Sequence, residues 1–157
     1  MNDLKIDINP VKNIVNQFVD AVRATLQRNG SNASGDLSNS IKGTVKTSGK
    51  WIEISISLED YWKYIEYGTK PHWPPIDAIK MWIDVKPVLP RPLSNGKLPT
   101  KQQLAFLIAR KISRVGTKAK PFLFNTLEKF NLEEVLYETV MEEINKKINE
   151  EIQNDLG

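Results

Sequence analysis

The chain has no cysteine, so it can form neither a disulfide framework nor a thiolate zinc site, and packing alone must hold it together. That absence also fits a reducing compartment. It has one histidine, His72, which rules out a histidine-rich catalytic or metal centre and reads as a turn residue beside Trp73. Long apolar runs are missing as well. The amino-terminal residues Met1-Asn2-Asp3-Leu4-Lys5-Ile6-Asp7 contain no uninterrupted apolar stretch, and no segment approaches the roughly 18 apolar residues of a membrane span. The expectation is a soluble, unexported protein with no membrane partner.

Signatures of enzymatic chemistry are equally sparse. Gly116-Thr117-Lys118 lacks the upstream glycine spacing of a phosphate-binding loop and reads as a helix stop followed by a basic loop. Glu59-Asp60 and Glu66 could be paired hydrolytic carboxylates, but solvated helix charges are the default reading. No catalytic residue, cofactor or metal is expected.

What is present is the content of one globular domain with appendages. The chain has 157 residues, 40% of them hydrophobic and 26% charged, which is enough to bury a core. The net charge of +3 hides an asymmetry. Residues 1–120 carry 19 Lys/Arg against 10 Asp/Glu (net +9), whereas residues 121–157 carry 3 against 9 (net −6). The two ends suit different neighbours, within one chain or between copies, although screening limits such attraction to about 8 Å at physiological salt.

Asn9-Pro10 is a helix start, with Asn9 as N-cap and Pro10 in the first turn. Val11, Ile14, Val15, Phe18, Val19, Val22 and Leu26 mark one apolar face, and Asn29-Gly30 is the stop. A small polar loop, Ser31 to Gly35, follows. Residues 41–47 and Trp51 to Leu58 alternate in type around a Ser48-Gly49 turn, predicting a hairpin whose apolar face the first helix covers. Asp60 to Tyr67 reads as a short helix ended by Gly68 in a left-handed conformation. Pro74-Pro75 opens a helix over residues 76–85 with Ile79, Met81, Trp82 and Ile83 as a broad apolar surface. Proline-rich residues 86–99 form a loop. Thr100 and Gln103 make a capping box for a helix that buries Leu104, Leu107, Ile108 and Ile112 and stops at Gly116. Pro121 starts a last helix that bends near Asn131 and runs to about Asp155, with Leu132, Leu136, Val140, Ile144, Ile148 and Ile152 as a narrow stripe suited to one partner helix.

Three segments stand out in order. They are Gly35-Asp36-Leu37-Ser38-Asn39-Ser40-Ile41; Tyr64-Ile65-Glu66-Tyr67-Gly68-Thr69-Lys70-Pro71-His72-Trp73-Pro74-Pro75, followed by a helix containing Trp82; and Gly116-Thr117-Lys118-Ala119-Lys120-Pro121-Phe122-Leu123. Over about Gly35 to Glu128 this set resembles the tailed-phage neck and tail-completion family, which sits between portal and tail tube. Such proteins usually continue with a Pro-Ala step and soon end, whereas here Phe124-Asn125-Thr126 leads into an acidic helix that the family does not explain.

The resemblance implies a non-enzymatic virion subunit, assembled in the host cytoplasm and working as one copy in a ring. Its partners would be copies of itself and portal, adaptor and tail proteins. The expected fold is α+β, a small antiparallel sheet packed against the N-terminal helix with additional helices, dividing into a domain over residues 1–130 and an acidic helical extension over 131–157. Interface candidates are Gly68, Thr69, Lys70, Pro71, His72, Trp73, Pro74, Pro75, Lys118, Lys120, Pro121 and Phe122, the 86–99 loop, and Leu136, Ile144 and Ile148 on the last helix. Tyr61, Trp62, Tyr64, Tyr67, Trp73 and Trp82, with Lys63, Lys70 and Lys80 among them, serve core packing or subunit contact, or else stack on bases. The rival function is therefore a free basic nucleic-acid-binding protein, and non-specific contact with DNA in a ring lumen is compatible with the assembly reading.

Overall fold

A computed structural model of the chain describes residues 5–48, 50–86 and 88–157. The amino-terminal reading at Met1–Leu4, the turn at Gly49 and the loop at Pro87 lie outside the described residues. The fold is α+β, with the order α1 (Asn9–Arg28), α2 (Asp36–Ser40), β1 (Lys42–Ser48), β2 (Trp51–Ser57), α3 (Trp62–Tyr67), α4 (Ile76–Val85), α5 (Lys101–Val115), α6 (Leu123–Phe130) and α7 (Leu132–Leu156). Two compact units interleave along the chain. The first comprises residues up to Thr25, Ser40–Leu58 and Leu123–Gly157, and the second Leu26–Asn39 and Glu59–Phe122.

In the first unit, α1 buries Val11, Val15, Phe18, Val19 and Val22 on the face that the apolar spacing predicted. Burying each such side chain stabilises the fold by about 1.5–3 kcal/mol. Capping falls slightly earlier than expected. Asn9 is already helical, and its N–H donates to Asp7 Oδ1 at 3.0 Å, so Asp7 closes the first turn. β1 and β2 pair antiparallel with Gly43 opposite Ile56, Val45 opposite Ile54 and Thr47 opposite Ile52. Gly43 is the point where the hairpin meets α1. A Cβ there would overlap Val15 Cγ1 and lie 3.1 Å from Val19 Cγ2. Arg23 Nη2 also donates to the Ile41 carbonyl at 2.8 Å, tying α1 to the strand entrance.

The last helix bends where the sequence predicted, by a complete break. Asn131 takes φ 51° and ψ 48°, the left-handed region in which asparagine is tolerated. Helical bonding resumes at once on both sides, with Asn131 N–H on Leu127 O and Val135 N–H on Asn131 O, both at 3.1 Å. On α6, Thr126 is buried and donates to Thr25 Oγ1 at 3.0 Å, and the Phe130 ring meets Phe18 edge-on with centroids 5.5 Å apart. α7 contains no fully buried residue.

In the second unit, α1 ends in a Schellman arrangement, with Ser31 N–H on Leu26 O at 3.3 Å, Gly30 N–H on Gln27 O at 3.0 Å and Gly30 at φ 63°. The short α2 was not expected from the sequence. It is started by Ser34, which accepts the Asp36 N–H, and it buries Leu37 and Ser38. α4 packs on α5 around Ile79, Ala105 and Ala109, with Ile76, Ile83 and Ile108 beside them. The capping box is complete, with Gln103 N–H on Thr100 Oγ1 at 3.2 Å and Thr100 N–H on Gln103 Oε1 at 2.9 Å.

The buried face of α5 is turned relative to the expected one. Ala105 and Ala109 are fully buried because small side chains admit a close helix neighbour, and Leu107 is left exposed. On α4, Met81 and Trp82 of the expected broad apolar surface are exposed, with Lys86 Nζ 5.3 Å from the Trp82 ring centroid. In the proline-rich segment, Leu93 and Lys97 close a turn through Leu93 N–H on Lys97 O and Gly96 N–H on Leu93 O, both at 2.8 Å.

Candidate functional site

Two Gly-Thr dipeptides, 48 residues apart in the chain, meet in the second unit. Each follows a helix, Gly68 after α3 and Gly116 after α5. Thr69 N–H donates to Thr117 O at 3.1 Å and Thr117 N–H to Thr69 O at 3.2 Å, an isolated antiparallel bridge. Their hydroxyls lie 2.9 Å apart, and Thr69 Oγ1 also accepts the Thr117 N–H at 3.1 Å. The bridge requires glycine on both sides. Gly68 sits at φ 70°, ψ −173° and Gly116 at φ 69°, ψ −160°, a region that only glycine occupies freely. The expected left-handed turn at Gly68 thus has positive φ but an extended ψ, because the chain must run straight into the bridge. A Cβ on Gly68 would overlap Thr117 O and stand 2.7 Å from Ala119 N, and one on Gly116 would overlap Thr69 O.

Beyond the bridge, the third segment is tied back onto α3. Lys120 N–H donates to Ile65 O at 2.8 Å, and Phe122 N–H donates to Glu66 Oε2 at 2.8 Å. Glu66 is buried, not a solvated helix charge, because its carboxylate is the acceptor that fixes Phe122. α6 starts at Leu123, two residues beyond the Pro121 at which the sequence placed the start. Sequence reasoning missed this role of Glu66, for which the only signal was its place between the aromatics and Gly68. Lys120 Nζ reaches the Asn29 carbonyl at 3.1 Å.

The candidates therefore fall into groups. Gly68, Thr69, Lys70, Lys118, Lys120, Pro121 and Phe122 converge on the paired turns. Phe122 and Pro74 are buried and serve the fold rather than a surface. Lys70, Pro71, His72, Trp73, Pro75, Lys118 and Lys120 are exposed. His72 Nδ1 donates to Lys70 O at 2.9 Å, closing a tight turn before Trp73. The Trp73 ring meets Phe106 of α5 edge-on at 5.5 Å, and both rings remain about half exposed. Of the aromatic group, Tyr61, Tyr64, Tyr67, Trp73 and Trp82 are exposed, which removes core packing as their main role. Partial desolvation, helped by the Asp36 and Glu59 carboxylates, pushes the Tyr61 phenol up.

Leu136, Ile144 and Ile148 belong to the other unit, on α7. Leu136 and Ile144 are half-buried and Ile148 is exposed. Residues at four-residue spacing advance by about 40° per step around a helix, so a row of six cannot stay on one face. Leu132, Leu136 and Val140 fall on the covered side with Val135 and Thr139, and Ile148 and Ile152 emerge on the outer side.

Among the described residues, no three His, Asp or Glu side chains gather to hold a metal ion, and no helix is long and apolar enough to cross a membrane. No family model, curated protein or solved structure matches the chain.

Proposed function

We propose that the chain is a non-enzymatic structural subunit of a tailed-phage virion, one copy in a neck or tail-completion ring that joins the portal and head to the tail. The observation that carries this reading is the Thr69–Thr117 bridge. It joins two of the three segments on which the family resemblance rests, and the hydrogen bonds from Lys120 and Phe122 to α3 stiffen the same junction. Its outcome is a braced, exposed surface, Lys70–Trp73 with Lys118 and Lys120. A rigid rim with basic and aromatic side chains suits contact with portal, adaptor or tail proteins and non-specific contact with DNA passing through the ring. Such particles are assembled in the host cytoplasm, and the virion is the final location.

The test is deletion of the gene from the phage that carries it, with particles viewed by electron microscopy and their proteins identified by mass spectrometry. Heads and tails that fail to join or that leak DNA, rescued by the intact gene, are the expected result. Normal infectious particles lacking the protein would overturn the proposal. Replication failure with normal particles, together with salt-sensitive binding of the free protein to duplex DNA, would favour the nucleic-acid-binding rival instead.

A further inference from the structure

Helices α5 and α7 each turn a face of mixed apolar and charged residues to solvent, and the charges are opposite. Successive helical residues are about 100° apart, which places Phe106, Leu107, Arg110 and Arg114 of α5 within a single outward arc, bordered by Lys111. All five are exposed. The helix carries Lys101, Arg110, Lys111 and Arg114 and no acidic residue. On α7, Tyr137, Met141, Ile148 and Ile152 lie within an arc of about 60° and are exposed, with exposed Glu134 and Glu138 along it. That helix carries eight Asp/Glu against Lys146 and Lys147. The acidic extension is the part of the chain for which the family resemblance supplies no role.

We propose that the outer strip of α7 in one copy docks on the outward arc of α5 in a second copy. Met141 and Ile148 would pack against Phe106 and Leu107, with Glu134 and Glu138 facing Arg110, Lys111 and Arg114. Charge complementarity identifies the occupant, because both halves are carried by the same chain and neither strip matches itself: α7 against α7 would oppose acids, and α5 against α5 would oppose bases. A contact between two different surfaces is heterologous, so it adds copies head to tail and closes into a ring where the rotation permits. Apolar burial supplies the affinity, while the charges set register and encounter rate. This inference rests on the assembly reading and names the contact between neighbouring subunits.

The absence of native cysteine makes the test clean. The full chain carrying Arg110→Cys is mixed with the full chain carrying Met141→Cys and treated with a short bis-maleimide linker. The mixture should give a covalent heterodimer, and either chain alone should give little dimer. Adding Ile148→Asp and Ile152→Asp to the Met141→Cys chain should abolish the product with an unchanged circular dichroism spectrum. Placing Arg110→Glu and Arg114→Glu on one cysteine-free chain and Glu134→Arg and Glu138→Arg on another should block self-association of each in sedimentation and restore it in the mixture. Absent heterodimer, equal cross-linking from single chains, or cross-linking that survives the aspartates would overturn the proposal. Incorporation into particles without this cross-link would remove the contact and leave the assembly reading standing. Specific cross-linking by a protein that is absent from particles would do the reverse.

Discussion

The Glu66 carboxylate accepts the backbone N–H of Phe122 at 2.8 Å, and both residues are buried. A buried backbone donor left without its acceptor destabilises a fold by about 1–3 kcal/mol. Glu66→Ala should therefore lower the unfolding midpoint by several degrees, whereas Glu66→Gln retains an oxygen that can accept and should lose less. Thermal melts of the two variants beside the parent check this. An alanine variant as stable as the parent would show that the bond does not hold Phe122.

The bridged turns predict an order of glycine sensitivity. Gly96 has φ 77° with nothing within 4 Å of a built Cβ, so Gly96→Ala meets only backbone strain, about 1 kcal/mol. At Gly116 and Gly68 the same strain is joined by overlap with the Thr69 and Thr117 carbonyl oxygens, which belong to backbone and cannot swing away. Gly116→Ala and Gly68→Val should each cost more than Gly96→Ala, by roughly 1–3 kcal/mol or beyond. Urea denaturation of the three variants measures the order, and equal losses would sink the claim that the bridge demands glycine.

Gly43 is a different kind of site, because its φ is not in the left-handed region and only space is lacking. A side chain there pushes against Val15 and Val19 of α1, both buried. Gly43→Leu should overpack this contact and destabilise by about 1–3 kcal/mol, while Lys42→Leu, one residue earlier on the exposed face of the strand, should not. The comparison is made by circular dichroism melting.

Short-range signals were legible in the sequence. The Asn29-Gly30 stop, the Thr100–Gln103 box, the Ile52-Ile54-Ile56 alternation and the break at Asn131 each depend on residues within a few positions of one another, so local chemistry decides them. The burial of Glu66, the pairing of Thr69 with Thr117 and the choice of Ala105 and Ala109 over Leu107 depend on partners brought from far along the chain. Of the candidate surface, the segments were legible, but not that they brace each other. Two equal Gly-Thr dipeptides after helices were the available hint.

The last helix separates residues that a four-residue spacing makes look alike. Val140 lies on the half-buried side of α7, while Ile148 and Ile152 are 41% and 51% exposed. An aspartate at Val140 places a charge in partly desolvated surroundings, so Val140→Asp should measurably lower the melting temperature. The pair Ile148→Asp and Ile152→Asp should stay within about 0.5 kcal/mol of the parent, as surface substitutions usually do. If α7 serves assembly, this stable pair is the one that fails in the particle. Complementation of a phage lacking the gene should give folded, soluble protein but no incorporation, with heads and tails unjoined. Virions at normal yield from the double variant would refute an assembly role for the outer strip, and a large drop in its melting temperature would mean that Ile148 and Ile152 belong to the fold after all.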